Sequence, residues 1–445
     1  MPPALAPPGP RARWLRGNLE EFGRDRLGFF TRCAREYGDV AAFRLGPRRC
    51  VLLSHPDLIE YVLLTASRNF TKHFAVRLNR LLLGNGLINS EGDFWLRQRR
   101  LAQPGFGRER VVLYGDTMVA ATERHVAAWQ QGETRDLHAE MMRLTLEIVG
   151  LTLFGADVAA ETSDVSAALE AALTCYVARV QSMVLLPEWV PTPNNRRLRH
   201  AVGRLDEILY RIIRQRRTGG RQRDDLLSML LRARDEGDGS SMTDRQLRDE
   251  AMTLFLAGHE TTALALTWAW YLLGRHPEVE AAVLAELQAV LGGRAPTVAD
   301  LPRLPYTERL VWEVLRLYPP VYTIGREPLA DCEIGGYRVR AGTTVFLSQW
   351  VMHHDPRYFE DPEVFRPDRW AGDLARRLPK YAYFPFGGGP RVCIGNSFAT
   401  MEAILVLATI AQKFRLVPAS NEPVRPRAFL TLRPERGIPM VLARR

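Results

Sequence analysis

The most chemically loaded stretch of this 445-residue chain is Phe384-Pro385-Phe386-Gly387-Gly388-Gly389-Pro390-Arg391-Val392-Cys393-Ile394-Gly395. A lone cysteine is usually a small buried hydrophobe. Here it stands in a glycine-rich loop that opens directly into a helix, predicted from about Asn396 to Lys413. The positive end of that helix and the free N–H groups of its first turn favour a thiolate over a thiol. Glycines at 387, 388, 389 and 395 let the backbone pass close to something flat and large, and Arg391 offers a fork of donors suited to a carboxylate. A second stretch, Ala257-Gly258-His259-Glu260-Thr261, falls in the middle of a long helical pattern. An acid and a hydroxyl on an otherwise apolar helix face carry a desolvation cost and need a use. Gly258 leaves room on that face, and Thr261 can bond a carbonyl one turn back and loosen the helix.

Three further groupings are weaker on their own. Glu313 and Arg316 stand three apart on one helix face, where the plain reading is a surface pair worth about a few tenths of a kcal/mol. Phe365-Arg366-Pro367-Asp368-Arg369-Trp370 follows downstream. Trp95 and Arg99 lie four apart on a helix starting near Gly92, which an ordinary amphipathic helix explains equally well. His259 reads as a spacer, and His55, His353 and His354 as loop histidines without metal-ligand spacing.

The run Phe386-x-x-Gly389-x-Arg391-x-Cys393-x-Gly395 resembles the haem-binding signature of the cytochrome P-450 superfamily, with every fixed position filled. The resemblance extends from about Gly17 to the C-terminus. It implies haem b as cofactor, Cys393 as its axial ligand, Phe386 beside the sulfur and Arg391 on a haem propionate. It makes Trp95, Arg99 and Arg326 further propionate partners, although soluble bacterial members often have His where Trp95 stands. It joins Glu313, Arg316 and Arg369 in a structural triad beneath the cysteine loop. It assigns Thr261 to positioning dioxygen and its proton, and Glu260 to relaying protons from solvent. Residues implied to line the substrate pocket are Phe74, Leu87, Phe255, Ala257, Val321, Ile324 and Leu430. Their apolar character points to a lipophilic substrate such as a fatty acid, terpene, steroid or aromatic compound.

The activity implied is that of a monooxygenase, since a thiolate ligand donates electron density to iron and favours O–O cleavage. A haem-thiolate isomerase or peroxide-driven enzyme is the first alternative, but such relatives typically lose the acid–alcohol pair present here at Glu260 and Thr261. A non-catalytic haem-binding protein is the second. No flavin or ferredoxin segment follows the cysteine region, so electrons are expected from NAD(P)H through a separate ferredoxin or flavodoxin and its reductase.

The elements that must position these residues can be read from pattern. Short strands fit Val40 to Leu45 and Arg49 to Leu53 around a turn at Gly46-Pro47, and Cys332 to Arg340 and Thr343 to Leu347. Residues 92–290 are mostly helical. Thr243-Asp244-Arg245-Gln246 has capping-box spacing and opens a helix of about thirty residues ending at Arg275, before His276-Pro277. A second helix, from about Tyr306 to Leu317, stops at Tyr318-Pro319-Pro320, and residues 353–392 read as a long irregular segment. The fold class expected is mainly α with small β-sheets (α+β), the cytochrome P-450 fold, with a long central helix over a buried haem. A proline-rich segment covers residues 1–16 and a single haem-binding domain 17–445.

Bulk composition narrows the remaining choices. Apolar residues make up 46% and charged residues 25%, ordinary for a globular protein. The net charge is +10, carried almost wholly by arginine, since Lys72, Lys380 and Lys413 are the only lysines. No dense basic stripe interleaved with aromatics appears, so nucleic acid is not expected. The basic run from Arg196 to Arg223 reads as a solvated helix face with a loop at Thr218-Gly219-Gly220. Five scattered cysteines (Cys33, Cys50, Cys175, Cys332, Cys393) argue against a disulfide framework and for a reducing compartment. With no apolar run long enough for a signal peptide or membrane anchor, the expectation is a cytoplasmic monomer.

Overall fold

Thr243 opens the longest helix by reciprocal capping: its Oγ1 accepts the Gln246 N–H at 3.2 Å, and Gln246 Oε1 accepts the Thr243 N–H at 2.8 Å. Two donors that the helix cannot satisfy are thereby paired. The helix then runs 32 residues, Asp244–Arg275, roughly 48 Å at 1.5 Å per residue, and ends where Pro277 removes a donor. The computed structural model describes residues 6–155, 162–181, 186–218, 225–235 and 239–445. The helices used below are α1 (Gly92–Ala102), α2 (Gly115–Ala127), α3 (Leu137–Leu153), α4 (Pro193–Thr218), α5 (Asp244–Arg275), α6 (Pro305–Leu317), α7 (Gln349–His353) and α8 (Asn396–Ala411).

The chain divides into two compact units. One runs to Arg77 and adds Trp312–Cys393 and Pro426–Arg433; the other comprises Leu78–Val311, Ile394–Arg425 and Pro434–Arg445.

The first unit is built on a five-stranded sheet. Its strands are β1 (Val40–Leu45), β2 (Arg48–Leu53), β3 (Phe70–Lys72), β4 (Ile324–Pro328) and β5 (Thr344–Leu347), in spatial order β1-β2-β5-β4-β3. β2 and β5 run parallel and the other neighbours antiparallel. Gly46, at φ 60°, supplies the left-handed residue that the β1–β2 turn needs. Phe29, Phe30, Phe43 and Phe346 form an aromatic cluster on one side of this sheet, Phe30 and Phe43 edge to face at 6.2 Å. The proline-rich segment is not detached from the unit: the Ala42 N–H donates to Pro8 O at 2.7 Å, and Arg13 bridges to Gly17.

The second unit is helical. α5 packs along α3, and the contact explains Gly258 differently from its sequence context: a Cβ there would come 3.1 Å from Val149 of α3. Its small size therefore serves helix–helix approach. α8 packs on α2 and α5. On α4, Leu198, Val202, Leu205, Leu209 and Ile213 are buried while most arginines face outward, a solvated basic face over an apolar stripe. Gly219 and Gly220, expected as a loop, lie outside the described residues. No helix among the described residues is long and apolar enough to cross a membrane.

Candidate functional site

The cysteines separate by burial. Cys33, Cys50 and Cys175 are buried, Cys332 is partly so, and Cys393 is exposed. Burial pushes the thiols of Cys33 and Cys50 up to about 12 and raises those of Cys175 and Cys332, so all four are held as thiols at neutral pH. Cys393 is the sulfur available to a ligand.

Its loop is shaped by backbone bonds that only glycine-rich sequence permits. The Cys393 N–H donates to Phe386 O at 3.0 Å, Val392 N–H to Gly389 O at 3.1 Å, and Gly387 N–H to Phe384 O at 2.9 Å. Gly387 and Gly389 adopt φ of 72° and 65°. A Cβ on Gly389 would meet Leu63 O at 1.8 Å, and one on Gly388 would meet the Tyr381 ring at 2.1 Å. Tyr381 also accepts the Gly389 N–H on its hydroxyl at 3.1 Å. Ile324 reaches this loop, with its Cδ1 3.3 Å from where a Gly387 Cβ would sit. Arg326, two residues further along β4, pairs in register with Lys72 of β3, and Arg391 ends the short 3₁₀ turn Gly389–Arg391.

These residues fit a haem. Among the described residues no set of three or more His, Cys, Asp or Glu side chains gathers to hold a metal ion. An iron bound at Cys393 would need further ligands, and a haem macrocycle supplies them. Cationic Arg326 and Arg391 in the same unit suit the propionates of such a macrocycle.

Beneath the loop, Glu313 and Arg316 of α6 form a fully buried pair, both with no side-chain exposure. Glu313 Oε1 also accepts from Arg369 Nε at 2.9 Å and from the Arg366 N–H at 3.0 Å, while Oε2 accepts from Trp370 Nε1 at 2.9 Å. Arg316 donates to the carbonyls of His353, Pro362 and Val364, and Arg369 to those of Glu360, Asp361 and Val364. Burial alone would raise the Glu313 carboxyl, but Arg316 and then Arg369 hold it below its ordinary value. Spacing alone suggests a surface pair, but in the structure Glu313, Arg316 and Arg369, the three residues joined by the resemblance, meet in one buried network that binds the irregular segment 353–370 to α6.

In the second unit, Thr261 Oγ1 donates to Ala257 O at 2.8 Å and Thr262 Oγ1 to Gly258 O at 3.2 Å. Consecutive hydroxyls thus draw on consecutive carbonyls of α5. Glu260 is buried. His259 is buried against α3, its Nδ1 on Phe255 O at 3.0 Å and its carbonyl accepting from Thr145 Oγ1 at 3.0 Å. Trp95 and Arg99 stand one turn apart on α1, both partly buried.

The expected pocket residues divide by environment. Ala257 and Leu87 are partly exposed, and Leu87 is fixed by its N–H donating to Glu250 of α5 at 3.0 Å. Phe74 lies under the Arg48 guanidinium, 3.4 Å from its ring centroid. Val321 and Leu430 are 36% and 38% exposed, and their segments are tied by Tyr322 Oη donating to Phe429 O at 3.0 Å. Phe255 is buried and packs edge to face on Phe154 at 5.7 Å.

Several residues escape sequence reasoning. His353 is not a loop histidine: it ends α7, is fully buried, and its Nε2 accepts the Phe384 N–H at 3.0 Å, anchoring the start of the cysteine loop. His354 is also buried, its ring 4.1 Å from that of Trp350, and His55 caps the helix Pro56–Glu60 by accepting the Asp57 N–H. Asp249 and Glu250, buried on α5, accept the Asn85 and Leu87 N–H groups. No local spacing announces such pairings, because their partners lie far away in sequence.

Comparison with known proteins agrees with this geometry. The family model for cytochrome P450 matches residues 7–440. The cyclooctat-9-en-7-ol 5-monooxygenase of Streptomyces melanosporofaciens is 40% identical over 383 residues, covering 86% of this chain and 83% of that protein. The pentalenene oxygenase of Streptomyces avermitilis is 36% identical over 401 residues, covering 89% and 88%. The crystal structure of the cytochrome P450DA heme domain superposes with a TM-score of 0.91 at 30% identity, covering 100% of this chain and 98% of that one.

Proposed function

We infer that this chain, which belongs to the cytochrome P450 family, is a monooxygenase that oxidises a cyclic terpenoid, with Cys393 as the axial sulfur of its haem. The observation that carries the assignment is the exposed Cys393 on its glycine loop, beside four cysteines that burial holds as thiols. When bound, the haem supplies activation of dioxygen with two electrons and two protons, placing one oxygen atom in the substrate and the other in water.

The chain's own residues do the rest. Backbone bonds from Phe386 and Gly389 hold the Cys393 loop in one conformation, and His353 fixes where it begins. Arg391 and Arg326 would neutralise the propionates, which are costly to bury unpaired. The Glu313–Arg316–Arg369 triad keeps the segment leading into the loop rigid. Thr261 holds a proton at its Oγ1 beside the Ala257 carbonyl, and Glu260 passes protons toward it. The residues that family resemblance assigns to the substrate, Phe74, Val321, Ile324 and Leu430 in the first unit and Leu87 and Ala257 in the second, are all apolar. Such a lining orients a hydrocarbon skeleton by shape and excludes water. The terpenoid class rests on the relatives' substrates together with that lining.

Electrons reach the haem from NAD(P)H through a ferredoxin or flavodoxin and its reductase, and the protein works as a cytoplasmic monomer. Arg376, Arg377 and Lys380, exposed just ahead of the cysteine loop, offer an acidic partner a basic landing surface. The test is a library of cyclic terpene hydrocarbons and alcohols, fatty acids and planar aromatics, screened for the high-spin shift of the haem Soret band and then for oxygenated product with a surrogate redox system. A shift and product confined to fatty acids or planar aromatics would overturn the substrate class.

A further inference from the structure

Two neighbouring side chains, Trp14 and Leu15, are 89% and 71% exposed, more than any other large apolar residue described in the first unit. A single exposed leucine needs no account, but an adjacent tryptophan and leucine on a rigid turn do. Backbone bonds hold that turn. Arg13 and Gly17 bond in both directions, Arg13 N–H to Gly17 O at 3.1 Å and Gly17 N–H to Arg13 O at 2.8 Å. The Gly46 N–H donates to Arg16 O at 3.0 Å and the Asn18 N–H to Arg44 O at 2.6 Å, so the β1–β2 hairpin grips the base of the turn. Buried Asn18 locks the joint: its Nδ2 donates to Arg11 O at 3.1 Å, and its Oδ1 accepts the Arg44 N–H at 3.1 Å. Gly17 lies at φ +57°, and a Cβ there would meet Arg44 O at 2.3 Å.

The surface around the tip is basic. Arg11, Arg13, Arg16 and Arg44 are exposed on the turn and on the hairpin that grips it. Glu20 pairs with Arg13 at 2.6 Å and with Arg24 at 3.6 Å, and Glu21 with Arg32 at 3.2 Å. Those acids are held by other arginines, which leaves Arg11, Arg16 and Arg44 facing solvent. We propose that the tip is a peripheral membrane contact, with Trp14 and Leu15 inserted among the headgroups of an anionic bilayer and the arginines on lipid phosphates. Tryptophan suits that interface because its ring is apolar and its N–H polar. Guanidinium forks match phosphate oxygens. Apolar insertion and basic attraction are two weak signals that reinforce each other, giving reversible attachment without a spanning helix. The shape favours lipid over protein: a two-residue tip slips between headgroups, whereas a stable protein interface needs about 800 Å² on each partner. The inference goes beyond the monooxygenase reading and does not depend on it.

Co-sedimentation of the haem protein with vesicles tests it, mixed phosphatidylglycerol and phosphatidylcholine against phosphatidylcholine alone. Binding should require the anionic lipid and weaken as salt rises from low to physiological. A chain of net charge +10 adsorbs to anionic surfaces in any case, so the decisive variant changes no charge. Trp14→Ser combined with Leu15→Ser should lower vesicle affinity several-fold. Its haem spectrum and thermal midpoint should match wild type, because both side chains are exposed. Trp189→Ser, at an exposed tryptophan just ahead of the basic helix α4, should bind like wild type. Unchanged affinity in the Trp14 and Leu15 variant overturns the proposal and reduces any binding to adsorption by charge. Loss of binding in Trp189→Ser alone also overturns it and moves the contact to the second unit. Failure of wild type to bind the anionic vesicles at low salt overturns it as well, and leaves the tip to a protein partner.

Discussion

His353 Nε2 accepts the backbone N–H of Phe384 at 3.0 Å, joining the end of α7 to the first residue of the cysteine loop. A ring nitrogen can accept only when it carries no proton, so this bond requires neutral imidazole. Burial first, then the nearby His354 and Arg316, press the His353 pKa well below 6.5. The unfolded chain therefore takes up a proton near 6.5 that the fold refuses. The resulting stability is fully present above that value and is lost as pH falls below it. Urea midpoints measured from neutral to mildly acidic pH should decline, and His353→Gln, an uncharged acceptor, should decline less steeply. An identical slope in the two proteins would remove His353 as the source. His73 and His354, each pressed to about 4, contribute in the same direction and remain in the variant.

Glu313→Gln should be among the most damaging single substitutions outside the cysteine loop. It leaves the Arg316 guanidinium buried without its carboxylate, and breaking such a pair costs about 3–5 kcal/mol. We expect haem content and thermal midpoint to fall together. Conversion of the exposed pair at Arg377 and Asp373 to neutral residues should change neither by a measurable amount.

Cys393→Ser should abolish the red-shifted absorption of the reduced carbon monoxide complex, whereas Cys33→Ser and Cys50→Ser should keep it. Their burial denies those two sulfurs access to iron and keeps them protonated. Survival of the band in Cys393→Ser would transfer the ligand role to another cysteine.

Thr261→Ala should fold and bind haem, because the hydroxyl lost is one that bonds Ala257 O within its own helix and alanine suits a helix interior. Product per NADH should fall several-fold as peroxide rises. Counting product, peroxide and NADH in one assay decides the matter, and unchanged coupling would reduce Thr261 to a back-bonded helix residue.

Electron transfer from an acidic ferredoxin should slow as ionic strength rises from low to physiological values, since screening shortens the reach of Arg376, Arg377 and Lys380. Rates that stay flat would argue for an apolar docking contact.

Local features were legible in the residues themselves. The capping box at Thr243, the stop at Pro277, the turn at Gly46 and the glycine spacing around Cys393 each depend on neighbours within a few positions, where backbone geometry alone dictates the outcome. The cysteine signature was specific enough to name a cofactor, because few other uses demand glycine, arginine and cysteine at those intervals. Tertiary structure decided what depended on partners distant in sequence. Spacing alone made Glu313 and Arg316 a surface pair; family resemblance added Arg369, and the packed structure adds Trp370 and buries the whole network. His353 looked like a loop residue until Phe384, thirty-one positions on, supplied a donor to its ring. Gly258 promised room on its helix face, and the structure shows that Val149 of α3 is what approaches there.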